Sequence, residues 1–444
     1  MNISFFQELL QSITERGRQL LESREPAPGN AQALAQACHR LISSHGEASG
    51  VALAQQVLCA YRDCPEEQQK AFFDILLKDF APPFEALAQA CQRYLDEPSS
   101  ANTTALFQAS EPPRQELFRR LNQAPGGTAE LIAMRRLLLQ ELKARPELAA
   151  VDHDLQHLLA SWFNRGFLVL RRIDWSTPAS ILEKIIQYEA VHAIKDWDDL
   201  RSRLQPADRR CFAFFHPALA DEPLIFVEVA LTRSMPGAIA QILEVTGLEA
   251  KPEPQPAEEP DTAVFYSISN CQDGLRGISF GNFLIKQVVE ELAREIPGLR
   301  QFVTLSPVPG FRRWLDSLGD DPQLGAAAAD LLKALKPDTA PPPRTEQPML
   351  ALAAEYFLHA KNGAGLPLDP VARFHLGNGA RLERLNWRGD LSTGSLRQAA
   401  GLMVNYRYEL RQIEKNHEAY ANQGSVTASP EVRKLASLSA KTKR

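Results

Sequence analysis

The stretch FYSISNCQDGLRGISFGNFLIKQVVEEL, residues 265–292, decides the fold. It opens with alternating residues that read as a strand ending near Asn270. Gly274, Gly277 and Gly281 then make a loop, and from about Asn282 apolar residues recur at helical spacing. Strand, glycine loop and amphipathic helix in that order point to an α/β architecture. Free backbone N–H groups at such a helix start, together with the helix dipole, suit a phosphate. Glycine lets the backbone approach an anion without a Cβ in the way. Gln272 and Arg276 join the glycines as candidate ligand-binding positions, Arg276 as a compact cation. The spacing is neither a Walker loop, which needs Gly-Lys-Ser/Thr, nor the Rossmann fingerprint. On these residues alone two readings stay open: a tight turn leading into an ordinary helix, or a pyrophosphate site.

Outward from that stretch, strand-like runs recur: RCFAFFHP, PLIFVEVALT, RQFVTLSP and ARLERLNW. Helical patterns alternate with them at 179–194, 282–296 and 396–410. Residues 166–444 therefore read as an α/β domain around one sheet. Residues 1–165 read differently, as helix after helix. Phe72, Ile75, Leu76 and Phe80 make one apolar stripe, and Leu131, Met134, Leu138 and Leu142 make another. Breaks at Pro82-Pro83, Pro112-Pro113 and Pro125-Gly126-Gly127 separate the helices. No repeat period links them, so a helical bundle is expected rather than a solenoid. The overall class is α+β: an all-α front domain, then an α/β domain. Proline-rich stretches near 251–261 and 336–348 read as surface connectors.

With 49 Lys plus Arg against 54 Asp plus Glu, the net charge of −5 gives no general pull toward nucleic acid or an anionic membrane. No apolar run reaches the ~18 residues of a spanning helix. The opening 26 residues, carrying Glu8, Glu15, Glu22 and Glu25, read as an amphipathic helix rather than an export segment. A cytoplasmic location is the expectation. Six scattered cysteines show no zinc-ligand spacing, so no metal site is expected.

The stretch at 265–292, with TLSPVPGFRRWL (304–315) and FHLGNGARLERLNWRGDLSTGSLRQAAGLMVNYRYEL (374–410), resembles malonyl-CoA decarboxylases. EAVHAIKDWDDLRSRL (189–204) and HPALADEPLIFVEVALT (216–232) extend the likeness. The resemblance covers 165–410 in order and implies a GNAT-like acyltransferase fold for the second domain. It implies a helical front domain through which the chain forms a dimer or tetramer. It places the catalytic serine on Ser306 and the catalytic histidine on His375, with further site positions on Ser267 and Tyr408. Ser279 departs from the glutamate found in animal members, so a carboxylate role there is in doubt.

The implied reaction converts malonyl-CoA to acetyl-CoA and carbon dioxide. Loss of carbon dioxide leaves an enolate because the thioester carbonyl accepts the electrons, so neither a metal nor an organic cofactor is required. His375, titrating ordinarily near ~6.5, is the candidate proton donor. Ser306 stands at a strand end before Pro307-Val308-Pro309-Gly310 and either hydrogen-bonds the substrate or acts as a nucleophile. Direct protonation is preferred, because an enolate needs a proton and not acyl transfer. His375 reads as a strand residue, with Asn378 close enough to orient it or the substrate. Tyr406 and Tyr408 read as helical, hence on different faces. His192 and His216 read as structural. The alternatives are a coenzyme A-dependent acyltransferase and a non-enzymatic helical scaffold.

Overall fold

In a computed structural model, residues 12, 14, 15, 30–163, 165–243, 259–278, 284–319, 321–336 and 338–441 are described. The rest of the opening helix expected at 1–26, most of the 251–261 connector, and the helix start at Gly281–Asn282 lie outside them. The chain forms two compact units. The front unit takes in Met1–Val169 together with Phe215–Glu222 and Gln272–Phe280. The back unit holds the remainder. Among the described residues no helix is long and apolar enough to cross a membrane.

The front unit is helical from Ala31–Ser43 to Ala149–Trp162. Phe72, Leu76 and Phe80 meet Leu131, Met134, Leu138 and Leu155 in one buried cluster, as the apolar stripes require. Asn30 caps the first described helix by accepting from Ala33 N–H at 2.9 Å. Two buried arginines break the apolar pattern. Arg114 Nε donates to Asp154 Oδ2 at 2.5 Å. Arg135 Nε donates to Asp152 Oδ1 at 2.7 Å, and its Nη1 donates to the carbonyls of Gly274 and Arg276 at 2.7 and 2.9 Å.

The glycine loop therefore packs on the helix Gly127–Glu141 of its own unit. A Cβ at Gly274 would stand 2.0 Å from the Ile132 carbonyl oxygen. Gly277 adopts φ +81°, a left-handed conformation that glycine tolerates.

The back unit is built on a mixed sheet of eight strands: β1 (Val169–Ile173), β2 (Arg209–His216), β3 (Leu219–Thr232), β4 (Thr262–Asn270), β5 (Gln301–Thr304), β6 (Ser306–Pro307), β7 (Arg381–Asn386) and β8 (Met403–Tyr408). Their order is β1-β2-β3-β4-β5-β8-β6, with β7 also paired to β8. This is the α/β unit expected. β4 and β5 are parallel, and their pairing ends at Phe265 and Thr304. β4 runs on to Asn270, while the chain beyond Leu305 stays paired with β8, which β5 already joins, and continues along it as β6. Pro307 and Pro309 carry no N–H, so this segment is poorly suited to continue the β4 ladder. The two strands part there.

Three expectations need correction. Residues 396–410 are not one helix: the helix Thr393–Ala399 stops where Ala400 and Gly401 adopt φ 52° and 79°, and β8 follows. His375 lies in the helix Pro370–Gly377, not in a strand. Pro370 stands in the first turn of that helix, and Asp369 caps it by accepting from Ala372 N–H at 2.8 Å. The 336–348 connector is not all loop either, since the helix Glu346–Leu358 begins within it.

Gly274→Ala is expected to lower stability by about 1–3 kcal/mol through overpacking against the Ile132 backbone. Gly363→Ala, where a Cβ meets nothing within 4 Å, serves as the control. Equal urea midpoints for the two variants would contradict this packing role.

Candidate functional site

Where β4 and β6 part, a cavity of about 260 Å³ opens inside the back unit. Phe265, Tyr266 and Ile268 of β4, Val191, and Val371 and Phe374 of the helix Pro370–Gly377 supply mostly apolar walls. Ser306, His375 and Asn270 supply polar groups. Ser306 and His375 are 5% and 2% exposed, so both act in a largely dry setting.

Ser306 Oγ lies 3.1 Å from His375 Nε2 and donates to Thr304 Oγ1 at 2.9 Å. Thr304 Oγ1 also accepts from the Tyr406 backbone N–H at 3.1 Å. On its other side, His375 Nδ1 lies 2.8 Å from Tyr408 Oη. The Tyr406 ring stacks on the imidazole with centroids 4.5 Å apart. Tyr406 and Tyr408, two apart on a strand, present the same face. Both therefore meet His375, which the helical reading had divided between two faces.

Burial alone pushes His375 down to about 3, so the imidazole is neutral near pH 7. Burial also holds Tyr408 well above its ordinary range, so its phenol keeps its proton. Tyr408 donating to Nδ1 would leave the imidazole hydrogen on Nε2, toward Ser306, and each ring nitrogen has a hydroxyl within hydrogen-bond distance.

The other expected positions are placed elsewhere. Ser267 Oγ lies 2.8 Å from both oxygens of the buried Glu189. Glu189 also accepts from the Val191 and His192 N–H groups at 2.8 and 2.7 Å. It thereby pins the segment that presents Val191 to the cavity. Gln272 Nε2 is 3.5 Å from Glu222 Oε2, and the exposed Arg276 pairs with Asp273 at 3.5 Å. Gln272, Gly274, Arg276 and Gly277 belong to the front unit. Gly281, Asn282 and Ser279 lie outside the described residues. Asn378 Nδ2 donates to Phe374 O at 2.8 Å, closing the end of the helix that carries His375. His216 packs against Phe163, with ring centroids 4.6 Å apart.

Sequence reasoning missed Thr304, Tyr406 and Glu189 as site-building residues. Thr304 had a readable signal: it stands two positions before Ser306 in an extended run, hence on the same face. Glu189 had none, because its contacts are long-range. Among the described residues no group of three or more His, Cys, Asp or Glu side chains is arranged to hold a metal ion.

Comparison with known proteins agrees with this architecture. The family model for the malonyl-CoA decarboxylase C-terminal domain matches residues 166–444, and that for the N-terminal domain matches 80–163. A mitochondrial malonyl-CoA decarboxylase from Anser anser anser is 35% identical over 396 residues, 80% of this chain and 77% of that protein. The crystal structure of malonyl-CoA decarboxylase from Rhodopseudomonas palustris is 55% identical with a TM-score of 0.86, covering 92% of this chain and 100% of that one. The Agrobacterium vitis structure is 53% identical with a TM-score of 0.82, covering 91% and 99%.

A buried neutral histidine has a pH signature. The unfolded chain binds its proton near 6.5 and the folded chain only near about 3. The stabilisation is fully present above pH 6.5 and is lost as pH falls toward 3. Between pH 7 and 4.5, wild type is expected to lose more unfolding free energy than His375→Gln. Parallel pH profiles in urea titrations would contradict the assignment.

Proposed function

The chain belongs to the malonyl-CoA decarboxylase family, and on that premise we propose that Ser306 and His375 carry the decarboxylation without a metal ion or organic cofactor. The observation that carries the reading is the line Thr304–Ser306–His375–Tyr408, bonded at 2.9, 3.1 and 2.8 Å and set at the cavity where β4 and β6 part.

The malonyl carboxylate leaves as carbon dioxide, and the electron pair of the broken C–C bond moves into the thioester as an enolate. The Ser306 hydroxyl turns from Thr304 toward the substrate and donates to the oxygen on which charge develops. His375 gives its Nε2 proton to the enolate carbon, forming the acetyl group. The Tyr408 hydrogen bond at Nδ1 supports the ring as this proton leaves, and a proton from water restores it. One proton is consumed for each carbon dioxide released.

Direct protonation is favoured over an acetyl-serine route by the orientation of two hydrogens. Ser306 donates to Thr304, which leaves its oxygen to accept from Nε2, and with the ring hydrogen there the resting histidine is a donor and not a base for the hydroxyl.

Purified protein is expected to release carbon dioxide from malonyl-CoA. His375→Ala should lower kcat by about 10²–10⁴-fold, as for loss of a general acid. Ser306→Ala should lower it by about 10²–10³-fold, as for loss of one oxyanion donor. Full activity in either variant would sink the assignment, and an acetyl group on Ser306 in quenched turnover samples would replace the direct route. Tyr408→Phe keeps the ring but removes the donor to Nδ1. A loss of about 1–3 kcal/mol is expected there, read as a fall of about tenfold to a hundredfold in kcat. Unchanged kcat would show that Tyr408 does not support the histidine.

A further inference from the structure

The hydroxyl line at the site begins at a break in the sheet. Val303 pairs with Arg407, and Ser306, three residues on, pairs with Val404, three residues back, so the register against β8 is unbroken. Thr304 and Leu305, between those pairs, have no ladder partner on β8. Side chains take over there. Thr304 Oγ1 accepts from the Tyr406 N–H at 3.1 Å, and the Thr304 carbonyl accepts from Asn405 Nδ2 at 2.6 Å. The Leu305 N–H is given to the Phe265 carbonyl of β4 at 2.9 Å. Thr304 and Asn405 are both fully buried, where an unmet polar group is costly.

The Asn405 amide is itself fully committed. Its Nδ2 also donates to the Pro236 carbonyl at 3.2 Å, and its Oδ1 accepts from Asn386 Nδ2 at 2.7 Å and from Arg384 Nε at 3.2 Å. Both donors and both acceptor positions are in use, and a flipped amide would set its oxygen against two carbonyls. Arg384 is fixed in turn, with Nε also donating to Asn386 Oδ1 at 2.8 Å and Nη2 to the Met235 carbonyl at 3.0 Å. We infer that Asn405 is a positioning residue for the reaction. By holding the Thr304 carbonyl out of the β8 ladder, it fixes the Thr304 hydroxyl where it accepts from Ser306, and so fixes where Ser306 stands against His375. Among the described residues Asn405 bonds to neither Ser306 nor His375, so it acts through the strand. The inference rests on the decarboxylase reading above and deepens it.

Asn405→Asp keeps the shape of the side chain and an acceptor for Arg384 and Asn386, but sets an oxygen against the Thr304 carbonyl. It is expected to lower kcat for malonyl-CoA by about tenfold to a hundredfold, as for a small misplacement of a reacting group, with KM little changed. In a Ser306→Ala background the same substitution should cost nothing further in kcat, because its effect passes through Ser306. A residue that merely held the fold together would lower kcat in both backgrounds alike. Should Asn405→Asp not yield folded protein, Asn386→Ala carries the test. It leaves Asn405 in place but removes the shorter bond to its Oδ1. There kcat should fall by about threefold to tenfold, as for loss of one hydrogen bond, and again only where Ser306 is present. Unchanged kcat in the variant that folds, or an equal loss with and without Ser306, would overturn the inference. Failure of the wild type to release carbon dioxide from malonyl-CoA, or full activity of Ser306→Ala alone, would instead overturn the functional reading.

Discussion

The site depends on holding one imidazole neutral inside the protein. His375 is buried, stacked on Tyr406, and spanned by hydroxyls at 3.1 and 2.8 Å on its two nitrogens. Burial removes the water that would stabilise an imidazolium, and among the described residues no carboxylate faces the ring to replace it. Each ring nitrogen still has a polar partner, so neutrality costs no unpaired group. A neutral imidazole is a weak acid, but a thioester enolate is a strong base.

Three separate elements meet that constraint. Asp369 and Pro370 start the short helix that delivers His375 in its last turn. β8 supplies both tyrosines from one face of a strand. The passage from β5 to β6 supplies Thr304 and Ser306, again from one face. Pro307 removes a ladder donor where β4 and β6 part, which opens the cavity these side chains border. A sheet that stayed zipped to Asn270 would have filled that volume with backbone.

The division into helical and sheet-containing regions was legible because each depends on local periodicity. The apolar stripe through Phe72 and Leu76 reports burial directly, and the β-branched and aromatic run TAVFYSIS marks a strand that is buried on both faces. β8 was hidden because LRQAAGLMVNYRYEL carries apolar residues at both helical and alternating spacing. What decides it is the left-handed pair Ala400-Gly401, and an alanine gives no warning of positive φ. Ser306 and His375 were legible through resemblance, since a lone serine and a lone histidine carry little signal alone. The glycine loop carries a demand that residue type alone did not disclose. Gly274 suggested a phosphate reading from its type, and close approach to the Ile132 carbonyl adds a packing reason for a residue without a side chain there. Arg135, buried to tie the same loop, lies on a helix whose pattern gave no hint of a charged interior position.

The proton on Nε2 of His375 is the central claim, and nitrogen-15 spectra of histidine-labelled protein measure it directly. The nine histidines are sorted by comparison with His375→Gln. The account predicts that the resonance lost in that variant is a neutral, Nε2-protonated imidazole from pH 8 down to pH 5. An imidazolium across that range, or a ring protonated on Nδ1 alone, would contradict it.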